Sequence, residues 1–297
     1  MGAPTPIPDL PPELLYQIFC TAVLDSDSLD ITWSPHRLKA HRARSSLSPW
    51  TLAGVSSTWR AAALSCPHIW ARVVLVVRPA DVHCQARVDE QLRRAGQQEL
   101  EVFCWGDNLD SAGAYAPEPP ELVFPASLLA ASGRWRALHL RLADFRHAAW
   151  TVREAISPHR DLQALERLSI VGDAEDDLGD VFGLGEVVPR LREVELVGVA
   201  GRGSPSALLP WSQLTHFRGV YSLPKLLDIL RLTSNLRSSE IGIRPTFATS
   251  YQFCDPADPL IVLPHLRRLI FQDEEDHATI VKYLDAPNLQ DLLCLGS

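Results

Sequence analysis

Apolar residues along this chain follow two different rhythms. Near the start they recur at helical spacing. Leu14, Leu15, Ile18, Phe19 and Ala22 follow Asp9-Leu10-Pro11-Pro12-Glu13 and form one face at a period of 3.6 residues. The prolines and the acid suit a helix start, where the first N–H groups lack partners and the dipole is positive. A second helix is predicted through Leu52, Val55, Trp59, Ala62 and Ala63. Cys66-Pro67 ends it, because the residue before a proline is pushed out of the helical region. Trp70 is large enough to bury against both helices. Two helices this short hold little core alone, so they need a neighbour.

Beyond Trp70 the period drops to two. Arg72 to Val77 reads RVVLVV, a β-branched apolar run that predicts a buried strand. A polar helix follows over residues 82–97, with Ala86, Val88, Leu92 and Ala95 on its weaker face. One phrase then keeps returning: a leucine, two residues, another apolar residue and a short alternating run. Its copies are LEVFCWG from Leu100, WRALHLRLAD from Trp135, LERLSIVG from Leu165, LREVELVG from Leu191, LTHFRGVY from Leu214, LRSSEIGI from Leu236, LRRLIFQD from Leu266 and LQDLLCLG from Leu289. Within a copy, alternation sends Leu165, Leu168 and Ile170 inward and Arg167 and Ser169 to solvent. Return helices are predicted over residues 148–156, 224–233 and 278–284. Prolines 189, 210, 264 and 287 mark turns back toward the next strand. Each unit is one parallel strand plus one helical or irregular return, and stacked units bury what a single unit cannot. The fold class expected is therefore α/β. Residues 107–122 and 242–259 are rich in Pro, Gly or Asp and read as loops that break the rhythm.

Charge is uneven. The chain has 297 residues and a net charge of -8, which argues against a nonspecific grip on nucleic acid. Yet from Ile31 to Ala80 there are cations at 37, 39, 42, 44, 60, 72 and 78 and no acid. A basic head before an acidic body fits an acidic protein partner, since complementary charge speeds encounter and sets register. No leader pattern and no run long enough to span a bilayer is visible. The six cysteines, 20, 66, 84, 104, 254 and 294, are scattered without a C-x-x-C pair, so no zinc site or disulfide framework is expected. Cys20, Cys66 and Cys104 read as small core residues in a reducing compartment, cytoplasm or nucleus.

No catalytic constellation emerges. There is no G-x-S-x-G elbow and no phosphate loop. The cluster Gly179, Gly183 and Gly185 sits in an acidic turn. The ten histidines include no pair at H-E-x-x-H spacing, and His36 and His41 are off a single helix face. The acidic runs at 175–177 and 273–276, and His277 beside the second, read as solvated loops. The expectation is a protein that is not an enzyme and has no cofactor or metal.

The first segment nevertheless carries a specific pattern. Leu10, Pro11, Glu13, Leu14, Leu15, Ile18 and Phe19, followed by Leu52, Val55, Ser56, Trp59, Arg60, Ala63, Leu64, Pro67 and Trp70, resemble the F-box in its fungal form. The returning phrase resembles the leucine-rich repeats that often follow it, with Asn288 nearest their consensus. The resemblance implies a tail over residues 1–8, an F-box over 9–70 with an unusual insertion at about 25–49 (one short helix expected at 38–43), and an irregular leucine-rich-repeat solenoid over 71–297. It implies a substrate-recognition subunit of a Skp–cullin–F-box ubiquitin ligase. The head would bind the Skp adaptor and through it a cullin–RING ligase, and the repeats would bind a protein substrate. The residues it implies for adaptor contact are Leu10, Pro11, Leu14, Leu15, Ile18, Phe19, Val55, Trp59 and Arg60. Trp59 serves equally well to hold the two helices together. The alternative is a non-degradative scaffold, or a ligand-binding repeat protein whose head is only an N-terminal cap. Leu14 and Ile18 separate these readings: an interface leaves them exposed, and a cap buries them.

Overall fold

A computed structural model describes residues 10–24, 48–77, 84–106, 124–141, 152, 154–156, 160–177, 188–200, 209–243, 260–272 and 280–295. Contacts divide the chain into two compact units. One holds Met1–Val73 with Ala86–Leu100, the other Val74–Gln85 with Glu101–Ser297.

In the first unit, α1 (Pro12–Leu24) starts as its prolines predict, with the Leu14 and Leu15 amides donating to the Pro11 carbonyl. Leu15, Phe19 and Val23 form its buried stripe. The second predicted helix is two. Ser56 adopts an extended conformation that separates α2 (Pro49–Val55) from α3 (Ser57–Leu64), and its hydroxyl accepts from the Trp59 amide. Ser48 caps α2 in the same way. Each serine satisfies an N–H that a helix start leaves without a partner. Arg60 crosses the break, donating from Nε to the Ala53 carbonyl at 3.0 Å. After α4 (Pro67–Trp70), the buried Trp70 indole donates to the Ala63 carbonyl at 2.8 Å and meets Trp50 edge-on at 4.9 Å. The Arg94 guanidinium lies over both rings.

Arg94 belongs to α5 (Cys84–Ala95), the polar helix that the sequence rhythm assigns to the body. The structure groups most of it with the first unit. The cause is polar. Buried Gln91 donates to the carbonyls of Trp70 and Arg72, an anchor that apolar periodicity does not register. Buried Arg72 in turn donates to the Val23 carbonyl at 2.8 Å, placing a cation at the negative end of α1. Glu90 accepts from Arg93 and Arg94, and those hydrogen bonds hold its carboxyl down at about 2.

The second unit is built on a parallel sheet. Its nine strands are β1 (Arg72–Val77), β2 (Leu100–Gly106), β3 (Trp135–Arg141), β4 (Arg167–Asp177), β5 (Glu193–Ala200), β6 (His216–Tyr221), β7 (Ser238–Ile243), β9 (Arg268–Phe271) and β11 (Asp291–Cys294). Two short strands, β8 (Ile261–Val262) and β10 (Leu284–Asp285), pair separately. The nine lie side by side in chain order. Every described pairing from β3 onward is parallel, and the order never reverses. The α/β expectation holds at this level.

Register aligns the returning phrase. One inward row runs Leu138, Leu168, Val194, Phe217, Ser239 and Leu269; the next runs Leu140, Ile170, Leu196, Gly219, Ile241 and Phe271. All are buried. A Cβ at Gly219 would lie 2.6 Å from the Phe217 ring, so the glycine makes room for that ring. Helix α6 (Ala126–Ala130) and helix α7 (Leu223–Leu232) are return segments, and α7 buries Leu226, Leu227, Ile229 and Leu230. Of the other predicted return helices, Val152, Glu154 and Ala155 are helical, and Val281–Tyr283 forms a single 3-10 turn. The predicted helix at 38–43 and the loop at 107–122 lie outside the described residues; of the loop predicted over 242–259, Gly242 and Ile243 instead end β7 and residues 244–259 lie outside the described residues.

The turns before the strands repeat one device. Asn235 Nδ2 donates to the Ser212 carbonyl and Asn288 Nδ2 to the Pro264 carbonyl, both at 2.7 Å. Gln213 reaches the Val188 carbonyl in the same sense. Replacing Asn235 by alanine is expected to cost about 1 kcal/mol, the net worth of one such bond. Adding Asn288→Ala brings a similar further loss, since the two sites share no partner. Urea unfolding checks both values.

Candidate docking surfaces

On α1 the single apolar face of the sequence resolves into two stripes. Leu15, Phe19 and Val23 face the core, while Leu14 and Ile18 are 45% and 44% exposed. Leu10 and Pro11, just before the helix, are exposed too. Val55, the last residue of α2, is 59% exposed, and Leu64, which ends α3, is also open. Helix α1 packs on both α2 and α3, so one small helical cluster carries all of these apolar side chains.

Phe19 is fully buried, with the half-buried Trp59 ring 5.1 Å away. Leu15, Phe19 and Trp59 therefore hold the cluster together; Leu10, Pro11, Leu14, Ile18 and Val55 are the side chains it presents. Arg60 is exposed but uses its Nε on the Ala53 carbonyl, leaving its terminal nitrogens as the directional part. The expected basic surface loses Arg72, which is buried on Val23. Residues 37, 39, 42, 44 and 78 lie outside the described residues.

On the sheet, the row opposite the core reads His139, Ser169, Glu195, Arg218, Glu240 and Ile270 across neighbouring strands. The Phe103 ring stacks on His139 at 4.4 Å. Arg218 lies between two carboxylates, 3.0 Å from Glu240 and 3.3 Å from Glu195. Its approach to Glu195 Oε1 is an ion-pair distance without hydrogen-bond alignment. Ser169 was expected in solvent and is buried instead, because it donates to Glu195 on the adjacent strand. Further along, Glu166 is clasped by Arg136 and Arg190, whose hydrogen bonds lower its pKa.

Burial raises the Glu195 carboxyl, and the nearby Glu240 adds to this against the pull of Ser169 and Arg218. The ionised form is then costlier in the fold than in the unfolded chain. That penalty is complete above the raised folded pKa and vanishes as pH falls below the ordinary glutamate value of about 4.3. Glu195→Gln keeps an acceptor for Ser169 and leaves Arg218 with Glu240. It is expected to raise the melting temperature modestly at pH 7, with the gain closing toward pH 4. A gain independent of pH, or a loss at pH 7, would contradict this.

Among the described residues, no group of three or more His, Cys, Asp or Glu side chains is placed to hold a metal, and no helix is long and apolar enough to cross a membrane. Cys66 and Cys104 are buried and Cys20 is half-buried. Burial pushes the Cys104 thiol well up, which removes thiolate character. His36, His41, His277 and the clustered glycines lie outside the described residues; the acidic run at 175–177, expected as a loop, is instead the end of β4, paired with β5, and its side chains lie outside the described residues. Sequence reasoning missed Leu64 as an exposed apolar position and Asn235 as the equivalent of Asn288. The latter was legible, since Asn235-Leu236 and Asn288-Leu289 stand at the same place in their phrases.

No family model, curated protein or solved structure matches the chain.

Proposed function

We propose that the chain is a substrate-recognition subunit of a Skp–cullin–F-box ubiquitin ligase. In this reading the helical unit is an F-box that docks a Skp-type adaptor, and the sheet unit is a leucine-rich-repeat solenoid that holds a protein substrate. The chain itself performs no chemistry; it brings a substrate lysine near a ubiquitin donor, so its contribution to rate is proximity.

The observation that carries the reading is the division of α1. A helix serving only its own core would keep apolar residues on one stripe. Here Leu14 and Ile18 form a second stripe that remains open, joined by Leu10 and Val55, and these positions coincide with those the F-box resemblance assigns to adaptor contact. Contiguous exposed apolar surface of this kind marks interaction sites. Covering the exposed half of each such side chain adds about 1 kcal/mol before the costs of association. The cap reading requires Leu14 and Ile18 to be buried, and their exposure does not favour it. In support of the repeat reading stand the strict chain order of the parallel strands and the repeated Asn and Gln bonds in the turns.

The test is a pull-down of purified full chain with purified Skp-type adaptor, followed by addition of the cullin–RING partner. Stoichiometric capture of all components is expected. A folded chain that captures no adaptor would end the ligase reading.

A further inference from the structure

The three last described turns of the sheet unit border an open surface cavity of about 220 Å³, lined by the exposed Arg237, His265, Arg267, Asn288 and Gln290 and the half-buried Pro264. That is many times the ~10–15 Å³ that one water needs. Its lining contains two arginines, a histidine and two side-chain amides, and no acid.

The arginines are side by side because the register makes them so. Arg237, Arg267 and Gln290 occupy the same position before β7, β9 and β11, and the Arg267 and Gln290 amides donate at 2.8 Å to the carbonyls of Arg237 and Arg267 in turn. Neighbouring parallel strands are ~4.8 Å apart, so two guanidinium stems rise from adjacent strands. Like charges in that relation repel and weaken a sheet. Other arginines of this sheet are neutralised or bonded: Arg136 and Arg190 on Glu166, Arg218 between Glu195 and Glu240, Arg192 on backbone carbonyls; Arg268 on β9, like Arg267 beside it, has no such partner among the described residues. Among the described residues, Arg237, His265 and Arg267 have no carboxylate partner and no side-chain hydrogen bond. Asn288 uses one amide hydrogen on the Pro264 carbonyl, which fixes its side chain at the cavity wall.

From this we propose that the cavity binds a phosphate group. Two planar forks from adjacent strands match tetrahedral phosphate oxygens, which arginine engages in pairs. His265 supplies a ring N–H, and Asn288 and Gln290 supply amide donors. The net charge of -8 does not prevent this, because charges farther than about 8 Å are screened at physiological salt. Two sources share the chemistry: a phosphorylated side chain on a protein partner, and free inorganic phosphate.

The experiment titrates the full chain by calorimetry at constant ionic strength. The probes are sodium phosphate, a short phosphoserine peptide, its unphosphorylated counterpart and sodium chloride. Wild type is expected to bind both phosphate probes and neither control. Tighter binding of the peptide assigns the source to a phosphorylated partner; equal binding assigns it to the free ion. Arg237→Gln and Arg267→Gln are each expected to weaken binding about tenfold or more, the scale of a charge-assisted hydrogen bond. The double variant is expected to melt no lower than wild type, since it relieves a repulsion. Unchanged phosphate affinity in a folded double variant, or no preference of wild type for phosphate over chloride, would overturn the proposal. The adaptor takes no part in the titration, so failure of the ligase reading leaves this result unaffected.

Discussion

A chain carrying Leu14→Asp together with Ile18→Asp is expected to lose capture of a Skp-type adaptor while keeping its circular-dichroism spectrum and melting temperature. The two residues are one helical turn apart on α1 and nearly half exposed, so in the free chain the aspartates meet water and cost little. In the proposed complex the same positions are covered. Each substitution removes an apolar contact worth about 1 kcal/mol, since under half of the side chain remains to be buried, and adds a carboxylate that must be desolvated without a partner. Together these weaken binding by at least about a thousandfold, since each 1.4 kcal/mol is tenfold. Leu15→Asp is the contrasting substitution. Leu15 is buried, so its replacement is expected to unfold the helical unit and to lose the adaptor for a different reason. A double variant that binds normally would show that the exposed stripe is not the contact surface.

The largest effect on stability is expected at Trp70. Its ring is fully buried, its Nε1 bonds to Ala63, Trp50 packs on its edge and Arg94 covers its face. Trp70→Ala leaves a cavity and removes the indole hydrogen bond, at a cost of about 3–5 kcal/mol. Against a total stability of about 5–15 kcal/mol for an ordinary domain, this is enough to melt the helical unit below physiological temperature or nearly so. Trp70→Phe keeps most of the volume and loses the N–H bond, so it is expected to cost less than half as much. Because the chain forms two compact units, the loss is expected in the transition of the helical unit, read by the near-ultraviolet signal of its tryptophans. Equal melting of Trp70→Ala and wild type would refute the packing described for this residue.

What the sequence disclosed follows from which forces leave a periodic trace. The sheet was legible because alternation fixes which face of a strand is buried, and the shared phrase aligned residues such as Leu138, Leu168 and Val194 before any register was known. The start of α1 was legible from Pro11, Pro12 and Glu13. Periodicity then ran out. It gave α1 one broad apolar face, because Leu14 and Leu15 are adjacent in sequence and nothing local says which of them meets the core. It read through Ser56, because a seven-residue helix followed by an eight-residue helix is shorter than the window in which a period is recognised. It placed α5 with the strands, because Gln91 holds that helix through buried bonds to the Trp70 and Arg72 carbonyls. Ser169 illustrates the same limit. Its outward direction was right, but Glu195 beside it takes it out of solvent.

The phosphate cavity was out of reach for a similar reason. Arg237 and Arg267 are 30 positions apart in the chain and become neighbours only through the register of β7 with β9. The residues proposed to contact an adaptor were accessible from sequence through resemblance alone, and their division into presented and buried side chains needed the packing of α1 on α2 and α3.

Hydroxyl-radical footprinting of α1 in the full chain, free and mixed with purified Skp-type adaptor, tests the central claim most directly. The account expects rapid labelling of Leu14 and Ile18 in the free chain, slow labelling of Leu15 and Phe19, and loss of the Leu14 and Ile18 signal when the adaptor is added. Protection of Leu14 and Ile18 in the free chain would mean that the stripe is already covered and serves as a cap. Undiminished labelling with adaptor present would mean that the helical unit does not dock it.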